Sequence, residues 1–205
     1  MNILAIGSHP DDIEIGCGGT LIKYAKRGHK VFLLLITKGE KGGDIELRYR
    51  EQLKAADIMG AADVFWAGFK DTELLDKGNE MIHKVERYIE SIKPSFIFIN
   101  FYEDTHQDHR AVNRAVLSAT RYVKNVLFYE VPTTNNFTPQ VFVDIAESLD
   151  EKIKALEAHE SQVMKTNIED LSIVELARSS ANFRGIQGRV KYAEAFCPLR
   201  LFINV

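Results

Sequence analysis

Short apolar runs separated by amphipathic stretches set the rhythm of this chain. Residues 3–6 form a compact apolar burst that gives way at once to polar and glycine-rich positions, the pattern of a strand buried on both faces. Residues 20–26 show helical spacing, with Leu21, Tyr24 and Ala25 on one face and Gly28 as a stop. Residues 31–36 are an unbroken β-type run, so the chain opens with a βαβ unit, which pairs its strands in parallel through a right-handed crossover. The alternation continues. A glycine-containing loop at 38–44 precedes a helix over 46–59 capped by Gly60, then a short strand at 64–67. A helix over 79–92 stops at Lys93-Pro94 before a buried strand at 96–100. Residues 107–122 read as helix, 126–130 as strand and 141–145 as an extra strand outside the alternation. Helical patterns at 147–162 and 171–180 precede a closing strand at 199–205.

This order predicts an α/β fold, a Rossmann-like doubly wound, mostly parallel sheet with helices on both faces. No internal repeat, low-complexity tract or linker divides the chain, and one domain over 1–205 is expected. In such folds ligands bind beyond the carboxyl ends of the strands. Two polar clusters fall there. His9-Pro10-Asp11-Asp12 follows the first strand, and the segment holding His106-Gln107-Asp108-His109 follows the strand at 96–100.

A turn at Pro10 lets His9 and Asp12, three apart, converge on one point. His106 and His109 are also three apart and share a face at the start of a helix. His9, Asp12 and one of these two histidines make two imidazoles and a carboxylate, the donor set of a catalytic zinc site that keeps a position open for water. The remaining groups fit the other tasks of metal-assisted hydrolysis of a carbonyl. Asp11 is placed to act as general base, the non-ligating histidine to stabilise an oxyanion, and Asp108 to hold that histidine charged or to fix its tautomer. Glu14 is a further acid near the metal.

His-Pro-Asp-Asp after a first strand, Gly18-Gly19-Thr20 opening the next helix and a later His-x-Asp-His resemble the PIG-L/LmbE family of N-acetylglucosaminyl deacetylases. The likeness extends to Arg48 and Glu51 leading to Ala55-Ala56 and Gly60, and to Arg184-Gly185, Gly188 and the run Tyr192-Ala193-Glu194-Ala195-Phe196. It implies that His9, Asp12 and His109 ligate Zn2+, with Fe2+, Mn2+ or Co2+ as other metals the donors accept. It further implies that Asp11 is the base, that His106 steadies the tetrahedral intermediate, that Arg48 contacts substrate, and that Tyr192 lies near the reacting carbonyl. The substrate implied is an N-acetylated amino sugar or glycoside.

Composition narrows the field. The formal charge of −3 comes from interspersed acids and bases, which argues against a nucleic-acid partner. Cys17 and Cys197 lie near opposite ends of the chain, too few and too far apart for a disulfide framework or a zinc knuckle, and they read as reduced thiols of a cytoplasmic protein. No apolar stretch approaches the ~20 residues that span a bilayer, and residues 1–6 lack the basic start of a signal peptide. The glycines at 16, 18 and 19 invite a dinucleotide reading, but carboxylates occupy the place where pyrophosphate would sit, so the glycines serve close packing. His29, His83 and His159 lie away from the strand ends and read as surface or helix residues. Two other functions stay open: a non-haem iron oxygenase built on the same donor set, and a non-catalytic sugar or nucleotide-sugar binding module with a structural metal. The long C-terminal segment suits a homo-oligomer contact.

Overall fold

The computed structural model describes residues 1–203. In chain order the elements are β1 (Asn2–Gly7), α1 (Asp12–Lys26), β2 (Lys30–Thr37), α2 (Ile45–Met59), β3 (Asp63–Phe69), α3 (Gly78–Ile92) and β4 (Phe96–Asn100). They continue with α4 (Gln107–Ala119), β5 (Val126–Tyr129), β6 (Val141–Asp144), α5 (Leu149–Glu157), α6 (Ile173–Gly188) and β7 (Ala193–Arg200). The strands form one sheet in the order β3-β2-β1-β4-β5-β7-β6. The pairings from β3 through β5 are parallel, and β7 lies antiparallel between β5 and β6.

The unbroken apolar runs are explained by burial on both faces. Along β1 and β2 successive side chains alternate, so Ile3, Ala5, Leu33 and Leu35 pack beneath α1 and α2, while Leu4, Ile6, Leu34 and Ile36 pack against the layer of α3 and α4. A third apolar cluster joins Ile145 and α5 to Ile173, Ala177 and Ala181 of α6. These contacts meet the expected doubly wound layout.

Element ends depart from the sequence pattern in places. α1 begins at Asp12 rather than residue 20, and its glycines lie inside the helix. The reason is packing: a Cβ on Gly16 would lie 2.0 Å from the Tyr129 ring, and one on Gly19 3.0 Å from Ile145. The closing strand is Ala193–Arg200, not 199–205; Glu194 and Pro198 interrupt its apolar pattern and mask it in the sequence. Pro198 is tolerated beside a register shift in the β5 pairing. Residues 201–203 carry no regular structure, and the last two positions of that expected strand lie outside the described residues. α6 runs on to Gly188, started by a full capping box in which Ser172 and Glu175 bond each other's backbone N–H groups.

Candidate metal centre

β1 lies between β2 and β4, so the chain leaves the sheet in opposite directions on either side of it. A crevice at the carboxyl ends of β1 and β4 follows from that reversal. The first cluster is built on the β1 side. Thr37 anchors the exit of β1 by donating from its hydroxyl (2.9 Å) and its backbone N–H (3.0 Å) to the Ser8 carbonyl. Asp11 then caps α1 in a left-handed conformation, φ 91°, uncommon for a residue with a side chain. Arg48, buried on α2, holds this turn by donating to the Pro10 carbonyl at 2.9 Å and to the Gly39 carbonyl at 2.5 Å, with Asp11 Oδ2 at 3.5 Å. A side chain at Gly39 would collide with that guanidinium.

The second cluster stands on the β4 side. Asp104 accepts the His106 backbone N–H at 2.7 Å, and His106 caps α4 by accepting the Asp108 N–H on Nδ1 at 3.2 Å. One turn into the helix, His109 is buried. The two clusters meet. His9, His106 and His109 each offer a ring nitrogen, and these nitrogens lie within 4.8 Å of one another. Asp12 stands between two of them, with one carboxylate oxygen 3.7 Å from His9 Nδ1 and the other 3.3 Å from His109 Nε2. Donors about one zinc ion, at bond lengths near 2.0–2.1 Å in a tetrahedral shell, are about 3.3 Å apart, so this spacing suits a divalent metal.

The outward-facing nitrogens of the two histidines are held by further acids. His109 Nδ1 lies 3.0 Å from Asp104, and His9 Nε2 lies 3.2 Å from Asp71 and 3.3 Å from Asp108. Such carboxylates fix which imidazole nitrogen carries the proton and leave the other free to ligate. The charges agree with a cation site. Burial opposes the charge on Asp12, but His109 and His9 outweigh it and hold the carboxyl well below its usual range. Burial likewise works against protonated His9, yet Asp108, Asp12 and Asp71 together raise it well above its ordinary value. His109, against the same cost of burial, is pushed up to about 9 by Asp12 and Asp104. A surplus of negative charge therefore converges here, and the buried Asp108 Oδ1 has no hydrogen-bond partner. Burial pushes the Asp11 carboxyl up to about 6, with Arg48 pulling the other way. Burial, then the neighbouring His9, lowers His106.

His9, Asp11, Asp12, His106 and His109 line a cavity of about 930 Å3, together with Arg48, Lys41 and Thr133. Of the residues singled out in the sequence, His9, Asp11, Asp12, Arg48, His106 and His109 all reach the cavity. Asp108 meets His9 and the Thr72 N–H (2.7 Å) rather than holding the His106 ring. Glu14 turns away into the protein, fully buried, where it accepts from Gln52 at 2.6 Å. Tyr192 does not line the cavity, because its ring packs with Val143 and Val163 onto the third apolar cluster. His159, read as a surface or helix residue, lies just past the end of α5 and is buried 3.7 Å from Glu14, because this segment folds back onto α1 and α2. Asp71 and Asp104 were not singled out. Asp71 follows β3 at the same sheet edge and Asp104 follows β4, so the strand-end rule is the signal that points to both.

A Rossmann-type sheet carrying a buried two-histidine and carboxylate cluster at its switch point, with a half-buried acid beside it, defines a metal-dependent hydrolase. Comparison with known proteins gives the same class. Residues 4–120 match the family model described as PIG-L: GlcNAc-PI de-N-acetylase. An uncharacterized deacetylase of Escherichia coli strain K12, YaiS, is 39% identical over 167 residues, covering 78% of this chain and 90% of that protein. A probable N-acetyl-alpha-D-glucosaminyl L-malate deacetylase 2 of Bacillus anthracis is 28% identical over 184 residues, covering 78% of this chain and 81% of that one. Among solved structures, the conserved protein TT1542 of Thermus thermophilus superimposes with a TM-score of 0.88 at 29% identity, over 99% of this chain and 96% of that one. The chain belongs to the PIG-L family of de-N-acetylases.

Proposed function

We propose that this protein removes the N-acetyl group from an N-acetylglucosamine-type sugar or glycoside, with His9, Asp12 and His109 holding a zinc ion. When bound, that ion supplies Lewis acidity toward the acetamido oxygen and toward a water molecule. Asp11 lies one residue from a ligand, yet is 16% exposed and faces the cavity, so it takes the proton from the attacking water. Its raised proton affinity suits both halves of the task, since the same carboxyl then delivers that proton to the departing amine. A C–O bond forms, the amide C–N bond breaks, and acetate and a free amino sugar leave.

His106 supports the developing oxyanion without needing a charge. Its Nδ1 accepts a backbone N–H, so the neutral ring carries its proton on Nε2 and donates from there. Arg48, whose nitrogens hold the Pro10 and Gly39 carbonyls, shapes the turn that presents Asp11 and adds positive charge beside the substrate. The single observation that carries the reading is the left-handed, half-buried Asp11 next to paired His and Asp donors. The relatives' names supply the sugar: the family is named for GlcNAc-PI, and the Bacillus anthracis relative for an N-acetyl-glucosaminyl substrate. An oxygenase or a purely structural metal site would have no use for this base.

No helix among the described residues is long and apolar enough to cross a membrane. The chain's two free cysteines and interspersed charge support a cytoplasmic enzyme acting on a small molecule, independent of nucleic acid and suited to homo-oligomer contact through its long C-terminal segment. The test is amine release from a panel of N-acetylated sugars by zinc-loaded protein, beside Asp11→Ala. Turnover by the wild type and its loss in a variant that still binds zinc are expected. Full activity in Asp11→Ala removes the base from the mechanism.

A further inference from the structure

The turn that presents Asp11 is held by a second device besides Arg48. Arg48, Glu51 and Gln52 share one face of α2, and each grips a different piece of chain. Arg48 takes the Gly39 and Pro10 carbonyls, and Glu51 accepts the Ser161 N–H and hydroxyl at 2.7 and 2.6 Å. Gln52 accepts the Asp11 N–H on Oε1 at 3.4 Å. It is fully buried and does not line the cavity, so it acts on the reacting centre only through Asp11.

An amide side chain can turn over, offering its NH2 where its oxygen stood. Here one orientation is imposed. Gln52 Nε2 donates to Glu14 Oε1 at 2.6 Å, and a carboxylate only accepts, so the amide oxygen is left for Asp11. Turned over, the amide would set its NH2 against the Asp11 N–H and its oxygen against Glu14, two repulsions in a buried place. Glu14 is itself fully buried, and its other oxygen lies 3.7 Å from His159 Nε2. The arrangement is poor for stability. Glu14 Oε2 and both ring nitrogens of His159 are buried without a hydrogen-bond partner, where apolar side chains of similar volume would pack at lower cost. Local costs of this kind are expected where function requires the groups.

We infer that Gln52 is a positioning residue for the general base, locked by Glu14 in the one orientation that accepts the Asp11 N–H. His159 backs Glu14 from the far side. The inference rests on the deacetylase reading, in which Asp11 takes the proton from water. The N–H and the carboxyl of Asp11 hang on one Cα, so a bond that holds the first also aims the second, and a displacement of about 1 Å in a reacting group can cost up to about a hundredfold in rate.

The experiment measures kcat and KM for amine release from N-acetylglucosamine and its methyl glycoside, together with zinc affinity. It compares wild type, Gln52→Met, Gln52→Glu and the exchanged pair Gln52→Glu with Glu14→Gln. Gln52→Met keeps the bulk and removes both bonds; kcat should fall about tenfold or more while KM and the zinc dissociation constant stay within about twofold. Gln52→Glu faces one carboxylate with another and should lose at least as much. In the exchanged pair the carboxylate at position 52 accepts both from the Asp11 N–H and from the amide at position 14, and kcat should return to within about threefold of wild type. That rescue carries the test if Gln52→Met does not fold. Unchanged kcat in Gln52→Met, a loss matched by weaker zinc binding, or a folded exchanged pair no faster than Gln52→Glu alone overturns the positioning role and leaves the deacetylase reading standing. Absence of amine release by the wild type overturns both.

Discussion

Asp11 combines a backbone and a side chain that would not be chosen for stability. A left-handed conformation at a non-glycine residue costs on the order of 1–3 kcal/mol, and burial of its carboxyl adds to that cost. Arg48 and the Gln52 side chain, which accepts the Asp11 N–H at 3.4 Å, hold it in place. Asp11→Gly relieves the backbone and removes the carboxyl. We expect it to abolish turnover while raising the urea midpoint by an amount equivalent to about 1 kcal/mol; a destabilised Gly variant would show that the turn is unstrained. A second residue links stability to pH. Burial opposes the charge on His159, but Glu14, with Asp11 and Glu51 beyond it, more than offsets this and raises the ring above its ordinary value. A raised folded value means that the stabilisation is complete below the unfolded value of about 6.5 and is lost as pH climbs through the folded one. The gap in urea midpoint between wild type and His159→Gln should therefore be widest below about pH 6.5 and narrow as pH rises above it. A constant gap would leave His159 as neutral packing.

α1 shows how a helix can be aimed by its glycines. At Gly16 a methyl group would enter the Tyr129 ring, and that ring cannot retreat, because it is fully buried and its hydroxyl donates to the Ile6 carbonyl at 2.8 Å. At Gly18 the nearest atom to an added Cβ is 3.7 Å away, an ordinary contact. Thermal or urea denaturation should therefore separate the two. Gly16→Ala is expected to destabilise by about 1–3 kcal/mol through overpacking, and Gly18→Ala to stabilise by roughly 0.5–1 kcal/mol through helix propensity. Equal effects would mean that α1 is free to shift off the sheet. The same glycines explain what was legible in the chain. Strands β1, β2 and β4 were readable because burial on both faces leaves only apolar side chains. The start of α1 was not, since Gly16, Gly18 and Gly19 look like a loop until Tyr129 and Ile145 are seen against them. β7 was obscured by Glu194, which is polar because it accepts the Gly19 and Thr20 N–H groups at 2.8 and 2.7 Å from across the fold.

The whole molecule gathers its candidate cation site from strand ends and helix starts that only the sheet order brings together. His9, Asp12 and His109, the proposed donors, stood out in the sequence because each belongs to a compact motif. Asp71 and Asp104 are single acids on loops, indistinguishable from surface residues until β3, β2, β1 and β4 are set side by side. Because its donors come from separate parts of the chain, an ion bound there favours the folded state alone. Zinc at about 100 times its dissociation constant should add roughly 2.7 kcal/mol, so the melting temperature should fall on chelation and recover on adding zinc. No shift would mean that the cluster does not hold the ion.

Position along the polypeptide gives this arrangement a temporal side. The proposed donors are all present once His109 has been synthesised, whereas β7, the strand that pairs with the outer side of β5, is not made until synthesis passes Ala193. A nascent chain thus carries all three proposed donors while β5 still lacks its outer partner and presents a bare row of backbone groups, an interval that favours association with other chains.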